Sequence, residues 1–216
     1  QACVSQLERK AMKHLALLLC LLFPGIATAQ ALPALYDVVG VAADDVLNIR
    51  AAPSASASII GALAQTAKSV EVVALSADGK WAQVNTHEAS GWAALRFLRA
   101  QGGPDWFALR SDLTCFGTEP FWSFYLDPAQ NSVHLNTPDE EGPEQDIVSH
   151  WLGSRWQPVA AMQFGSEDSG GVAVLRGQSC SDGMSDRAFG LSLDLFLQPS
   201  GNGPAASLHG CCSLAP

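Results

Sequence analysis

The chain has 216 residues, of which 48% are hydrophobic and 15% are charged, and its formal net charge is −9. This hydrophobic fraction supports a packed core and excludes a chain that is disordered overall. An acidic chain without a basic stripe would repel phosphate, which excludes nucleic acid as a partner. The length fits one or two domains.

A secretory signal is predicted near the start of the chain. Lys13 follows Met12, an unbroken apolar run covers residues 15–23, and residues 27–29 read Ala-Thr-Ala. A basic start, a short apolar centre and an A-x-A-like end are typical of a signal peptide, and the run is well short of the roughly 20 residues that a spanning helix needs. We expect an upstream leader before Met12, cleavage after Ala29, and a periplasmic or secreted protein without a stable membrane span.

The predicted mature chain keeps four cysteines, Cys115, Cys180, Cys211 and Cys212. An even number of cysteines in an exported chain predicts disulfides, because the periplasm and the exterior oxidise thiols. All four follow residues 101–104, Gln-Gly-Gly-Pro, which are typical of a linker. The predicted organisation is therefore a leader and signal peptide at residues 1–29, a cysteine-free domain at 30–101 and a disulfide-bonded domain at 102–216.

The adjacency of Cys211 and Cys212 limits how the cysteines can pair. A bond between neighbours would distort the peptide that joins them. Consecutive side chains of a strand point to opposite faces, so the two can reach separate partners. We expect Cys115 and Cys180 each to bond one of Cys211 and Cys212, in either combination, in preference to a vicinal pair.

Short apolar or alternating runs, separated by Gly, Pro, Asn and Asp, predict an all-β chain. Asp78-Gly79 between two of these runs predicts a hairpin turn. The expected architecture is a small barrel followed by a second antiparallel β domain, either a barrel or a sandwich, with disulfides. In chain order the predicted strands cover residues 36–41, 46–50, 59–63, 70–75, 81–85, 91–95, 121–126, 132–136, 147–152, 172–176, 191–197 and 206–209.

The first domain carries a series of short strings in a fixed order. They read L-N-I-R-A-A-P at 47–53, I-I-G-A-L at 59–63, V-E-V-V at 70–73, G-K-W-A-Q-V at 79–84 and G-W-A at 91–93. Residues 36–98 thereby resemble the bacterial SH3-like (SH3b) domain. The resemblance implies a module that binds peptidoglycan, a peptide or an envelope protein. Its aromatic candidates for a ligand groove are Tyr36, Trp81 and Trp92. The position of Trp81 in the family favours the core for that residue, which leaves Tyr36 and Trp92 as the expected ligand-binding residues.

The second domain contains C-F-G-T-E-P-F-W at 115–122, C-S-D-G-M-S-D-R at 180–187 and G-C-C at 210–212. These strings resemble a family of uncharacterised bacterial envelope proteins, which implies an exported β domain and brings no assigned activity. The ligand-binding candidates in the strings are Glu119, Trp122, Asp182, Asp186 and Arg187. Core packing is the preferred interpretation for Trp122, Trp151 and Trp156.

Catalytic and metal-binding signals are weak. The chain has no G-x-S-x-G string, and paired cysteines leave no free thiolate. Adjacent cysteines fit zinc spacing poorly. We therefore expect a non-catalytic, exported envelope-binding protein without cofactor or metal. Two alternatives stay open: a cell-wall hydrolase in which Glu119 acts with Asp182 or Asp186 as a carboxylate pair, and a small-barrel inhibitor or ligand carrier.

Overall fold

The computed structural model describes residues 31–166, 169–198 and 205–214. The predicted leader and signal peptide lie outside these residues. Within them the fold is all-β, as predicted, with sixteen strands and two short 3-10 helices, Leu95–Phe97 and Trp106–Ala108. No helix in these three ranges has the length and apolar character needed to cross a membrane.

The first eight strands, which we call the first unit, are β1 Ala34–Val38, β2 Val46–Arg50, β3 Ile59–Ala64, β4 Val70–Val72, β5 Ala74–Leu75, β6 Trp81–Thr86, β7 Ala89–Ala94 and β8 Leu98–Ala100. They form two antiparallel sheets in the orders β4-β1-β8 and β3-β2-β7-β6-β5. Both sheets bury alternate side chains in one core that contains Tyr36, Ile49, Val72, Val84 and Leu98.

The predicted strand over residues 70–75 is divided between the two sheets. Val72 pairs with Ala34 of β1, whereas Ala74 pairs with Gln83 of β6. The chain changes sheets at Val73, whose N–H donates to Gln83 O at 3.0 Å. The apolar run at residues 70–75 thus contributes one strand to each of the two sheets.

The remaining eight strands, which we call the second unit, form a closed antiparallel barrel. Each strand pairs with the next along the chain, and β16 closes the barrel on β9. Of the two architectures predicted for the second domain, barrel and sandwich, the structure shows the barrel. The strands are β9 Leu113–Thr118, β10 Phe121–Asp127, β11 Ser132–Asn136, β12 Glu144–Trp151, β13 Val159–Gly165, β14 Gly170–Cys180, β15 Phe189–Leu197 and β16 Ala206–Leu214.

Side chains fill the interior of the barrel. Phe124, Met162, Leu175 and Leu193 are almost completely buried in one cluster with Trp122. An eight-stranded barrel is just wide enough for its own side chains or for one small ligand. In this chain the side chains occupy that space.

The two disulfides use opposite faces of β16. Cys212 bonds Cys115 among the core residues of the barrel, and Cys211 bonds Cys180 on the other face of the strand. The prediction that the adjacent cysteines reach separate partners is confirmed. The alternation of side chains along a strand is the physical reason.

Candidate functional site

The three strings of the second unit meet at one open groove of about 600 Å³ on the outer face of the barrel. Thr118 ends β9, Glu119 lies in the turn to β10, and the wall at residues 181–184 follows β14. We call this space the motif groove. It is lined by Phe116, Gly117, Thr118, Glu119, Phe121, Ser181, Asp182, Gly183, Met184, His209, Gly210 and Cys211.

Asp182 fixes the wall of the motif groove. Its carboxylate accepts hydrogen bonds from Met184 N at 3.0 Å, from Ser185 N at 2.9 Å and from Ser185 Oγ at 2.8 Å. Partial burial acts to raise the pKa of Asp182, but these hydrogen bonds and the charge of Arg187 outweigh it, so the pKa lies below its ordinary value. Thr118 Oγ1 also donates to Asp182 O at 3.1 Å. Asp182 is therefore ionised, and its carboxylate stabilises the turn that follows it.

Trp122 lies behind the groove, inside the barrel, and only 5% of it is exposed. Its indole lies against the two glycines of the G-T-E-P-F-W and G-C-C strings. A Cβ at Gly117 would collide with Trp122 Nε1, and one at Gly210 would lie 2.7 Å from Trp122 Cζ2. The structure therefore gives these glycines a packing role, and Trp122 is a core residue that makes no part of the groove lining.

The open side of the groove carries side chains that the sequence analysis did not single out. Phe121 and Met184 are 54% and 69% exposed. His209 is held by a hydrogen bond of 2.7 Å between its Nδ1 and Asp194 Oδ1. The alternation of Phe121 with the buried Trp122 was the available signal for an outward aromatic ring, since neighbouring residues of a strand face opposite sides.

Glu119 and Asp182 share the motif groove, but Asp186 lies elsewhere. The backbone of Asp186 pairs with the first unit, donating from N to Glu88 O at 2.8 Å and accepting at O from Ser90 N at 3.0 Å. Arg187 lies with its guanidinium 5.2 Å from the centre of the Phe189 ring. The C-S-D-G-M-S-D-R string thus has two roles: its first half walls the groove, and its second half contacts the first unit.

A second, smaller cavity of about 170 Å³ lies on the five-stranded sheet of the first unit. We call it the arginine groove, because Arg50 and Arg96 belong to its lining. Arg96 stacks 4.6 Å from the centre of the Phe97 ring, and Arg50 Nη1 donates to Ala57 O at 2.7 Å. The lining consists of Val46, Leu47, Asn48, Arg50, Ala55, Trp81, Ala94, Arg96 and Phe97.

Two aromatic residues, Trp81 and Phe97, line the arginine groove, and Trp81 was expected in the core. Trp81 is half-buried on β6 and lines the cavity. Tyr36 is 9% exposed in the core, where burial raises the pKa of its hydroxyl. Trp92 is half-buried on β7 and is not part of the lining. Of the three aromatic candidates of the first unit, the arginine groove therefore contains Trp81 and neither Tyr36 nor Trp92.

The described residues contain no group of three or more His, Cys, Asp or Glu side chains placed to hold a metal ion.

Residues 45–99 match the bacterial SH3 domain family. The matched span contains all five strands of the sheet on which the arginine groove lies, from Val46 in β2 to Ala94 in β7. No curated protein and no solved structure matches the chain. The relation of the second unit to envelope proteins stays a prediction.

Proposed function

We propose that this protein is an exported cell-envelope binding protein whose first domain, residues 30–101, binds peptidoglycan or a peptide. The arginine groove is the observation that carries this proposal, because it lies within the span that matches the bacterial SH3 domain. The resemblance implies a binding module, and the groove supplies an aromatic side chain beside two guanidinium groups. The second domain, residues 102–216, is proposed to be non-catalytic.

The chemistry of the arginine groove favours an anionic ligand. Arg50 and Arg96 stand out in a chain whose net charge is −9, and guanidinium groups bind carboxylates through paired hydrogen bonds. Trp81 adds a flat apolar face with a hydrogen-bond donor. The stem peptides of peptidoglycan combine free carboxylates with short aliphatic side chains and therefore fit both features.

Two disulfides support the proposed export. Cys115–Cys212 and Cys180–Cys211 both lie within the second unit, and such bonds persist in the periplasm or outside the cell. The mass of the protein recovered from that compartment tests the predicted cleavage. A chain that begins at Gln30 is expected, and a retained segment over residues 15–23 would contradict it.

The geometry of the acidic residues supports binding over hydrolysis. A nucleophile or base in glycoside cleavage must present a free carboxylate oxygen to the sugar or to water, whereas the carboxylate of Asp182 accepts three hydrogen bonds from Met184 and Ser185 within its own turn. Asp186 lies at the first unit, away from Glu119. The filled barrel interior likewise argues against a carrier whose ligand sits inside the barrel. A zymogram with purified peptidoglycan is expected to show no clearing, and a cleared band would favour the hydrolase.

Co-sedimentation with purified sacculi tests the proposal directly. We expect the mature chain to sediment with sacculi and Trp81→Ala to lose most of this binding. Trp156→Ala is the matched control, because Trp156 is 94% exposed and lies in a turn of the second unit. Thermal melts establish that both variants are folded. Equal binding by the Trp81 variant, or a wild-type chain that stays in the supernatant, would contradict the proposal.

A further inference from the structure

We propose that the motif groove is a second binding site, which takes a lysine or arginine side chain presented by an extended peptide. The site lies on the second unit and does not depend on the function proposed for the first. It is the largest of the cavities described above, at about 600 Å³, and it is open to an external chain.

Two apolar side chains lie on the open side of the groove, although the packing of the barrel core does not require them there. Phe121 and Met184 line the groove while more than half exposed, although the barrel core is already filled by Trp122 and its neighbours. Covering such side chains with a partner is favourable because it removes apolar surface from water. Methionine adapts its shape readily to a ligand. A side chain with a methylene stem would therefore pack between them.

The negative charge of the groove favours a bound side chain that ends in a cationic group. Glu119 is exposed and forms no ion pair with a described residue. Asp182, in the wall at residues 181–184, carries a second negative charge, which the charge of Arg187 partly offsets. The lining contains no lysine or arginine. A cation is attracted by both carboxylates, and the face of Phe121 adds a cation–π contribution. Lysine and arginine combine an apolar stem with a cationic head, which is the pattern that this groove presents.

The two grooves of the protein thus have opposite charge. The arginine groove carries two guanidinium groups, and the motif groove carries two carboxylates. A basic peptide is repelled by the first and attracted by the second. Binding at one groove can therefore be measured separately from binding at the other.

Titration calorimetry of the full mature chain with the peptide acetyl-Gly-Leu-Lys-Leu-Gly-amide tests the proposal. The same peptide with norleucine in place of lysine is expected to bind about tenfold more weakly, because it keeps the stem and loses the charge. Glu119→Gln should weaken binding of the lysine peptide by about tenfold as well. Glu141→Gln removes the same charge at an exposed position outside the groove and should leave binding unchanged.

Met184→Ala is a second variant, and it tests the apolar contact without changing any charge. Met184 is 69% exposed, so its replacement should leave the fold intact. This variant should bind the lysine peptide and the norleucine peptide more weakly by a similar factor, since both peptides carry the apolar stem. Absence of binding at millimolar peptide, equal affinity for the two peptides, or full affinity in Glu119→Gln would overturn the proposal. If Glu119→Gln still binds sacculi, a negative result with the peptides refutes only the motif-groove proposal and leaves the function proposed for the first domain intact.

Discussion

The side-chain amide of Asn85 is bonded at both ends to the backbone of Ala188. Asn85 Nδ2 donates to Ala188 O at 2.9 Å, and Asn85 Oδ1 accepts from Ala188 N at 3.0 Å. Together with the backbone pairing of Asp186 to Glu88 and Ser90, this contact joins the end of the C-S-D-G-M-S-D-R string to the first unit. One short segment therefore connects the wall of the motif groove to the sheet that carries the arginine groove.

Replacing Asn85 with Ala should destabilise the protein by about 1–3 kcal/mol, because the N–H and C=O of Ala188 would lose their partners at a partly buried contact. Urea unfolding of the mature chain measures the change. Gln130→Ala is the control, since Gln130 is exposed and the structure shows a hydrogen bond only from its backbone N–H. An Asn85 variant as stable as the control would show that this contact contributes nothing.

Glu71 makes the stability of the chain depend on pH near neutrality. Its Oε1 accepts a hydrogen bond from Leu214 N at 2.9 Å, across the boundary between the units. Burial raises the pKa of Glu71 from 4.5 to about 7, against the opposing effects of the Leu214 N–H and the Arg187 charge. The native state therefore binds more protons than the unfolded chain between these two values, and the contribution of Glu71 to stability falls as the pH rises through this window.

Glu71→Gln keeps the acceptor oxygen and removes the titration. Its free energy of unfolding should fall less than that of the wild type as the pH rises from about 4.5 to about 7. Urea unfolding of both proteins on either side of this window makes the comparison. Parallel pH profiles for the two proteins would contradict the assignment.

The two disulfides should differ in their effect on stability. Cys115–Cys212 spans 97 residues of sequence and Cys180–Cys211 spans 31, so loss of the first releases more chain entropy on unfolding, by about 1 kcal/mol. Removing the first also leaves space in the barrel core, where Cys115 and Cys212 are almost fully buried. Cys115→Ala with Cys212→Ala should therefore lower the melting temperature more than Cys180→Ala with Cys211→Ala. The reverse order would contradict this account.

Much of the fold follows from side-chain alternation, which the sequence displays. Alternation of Leu191, Leu193, Leu195 and Leu197 predicted one mostly apolar strand face. The first three are fully buried in β15, and Leu197 is partly buried against the same core. The strands Leu113–Thr118 and Val159–Gly165 were not predicted. In the second, Ala160, Met162 and Phe164 face the core, but alanines on both faces weaken the contrast that an alternating pattern needs.

The candidate sites were harder to predict, because they depend on which residues the closed sheets bring together. Core packing was the right interpretation for Trp122 and the wrong one for Trp151 and Trp156, which are 55% and 94% exposed. Aromatic character alone does not show whether a residue points into a barrel, out of it or lies in a turn. Glu119 and Asp182 are 63 residues apart in the sequence and line one groove because the closed barrel, the Cys180–Cys211 bond and the hydrogen bond from Thr118 Oγ1 to Asp182 O bring their segments together.

The indole N–H signals of the six tryptophans offer the most direct test of ligand binding by the first domain. Nuclear magnetic resonance of the ¹⁵N-labelled mature chain, titrated with soluble peptidoglycan fragments, follows each indole separately once single Trp→Phe variants have assigned the signals. We predict that the Trp81 signal shifts progressively, while the signals of the buried Trp106 and Trp122 stay in place. Shifts confined to Trp151 and Trp156, with Trp81 unchanged, would contradict the assignment of the arginine groove as the binding site.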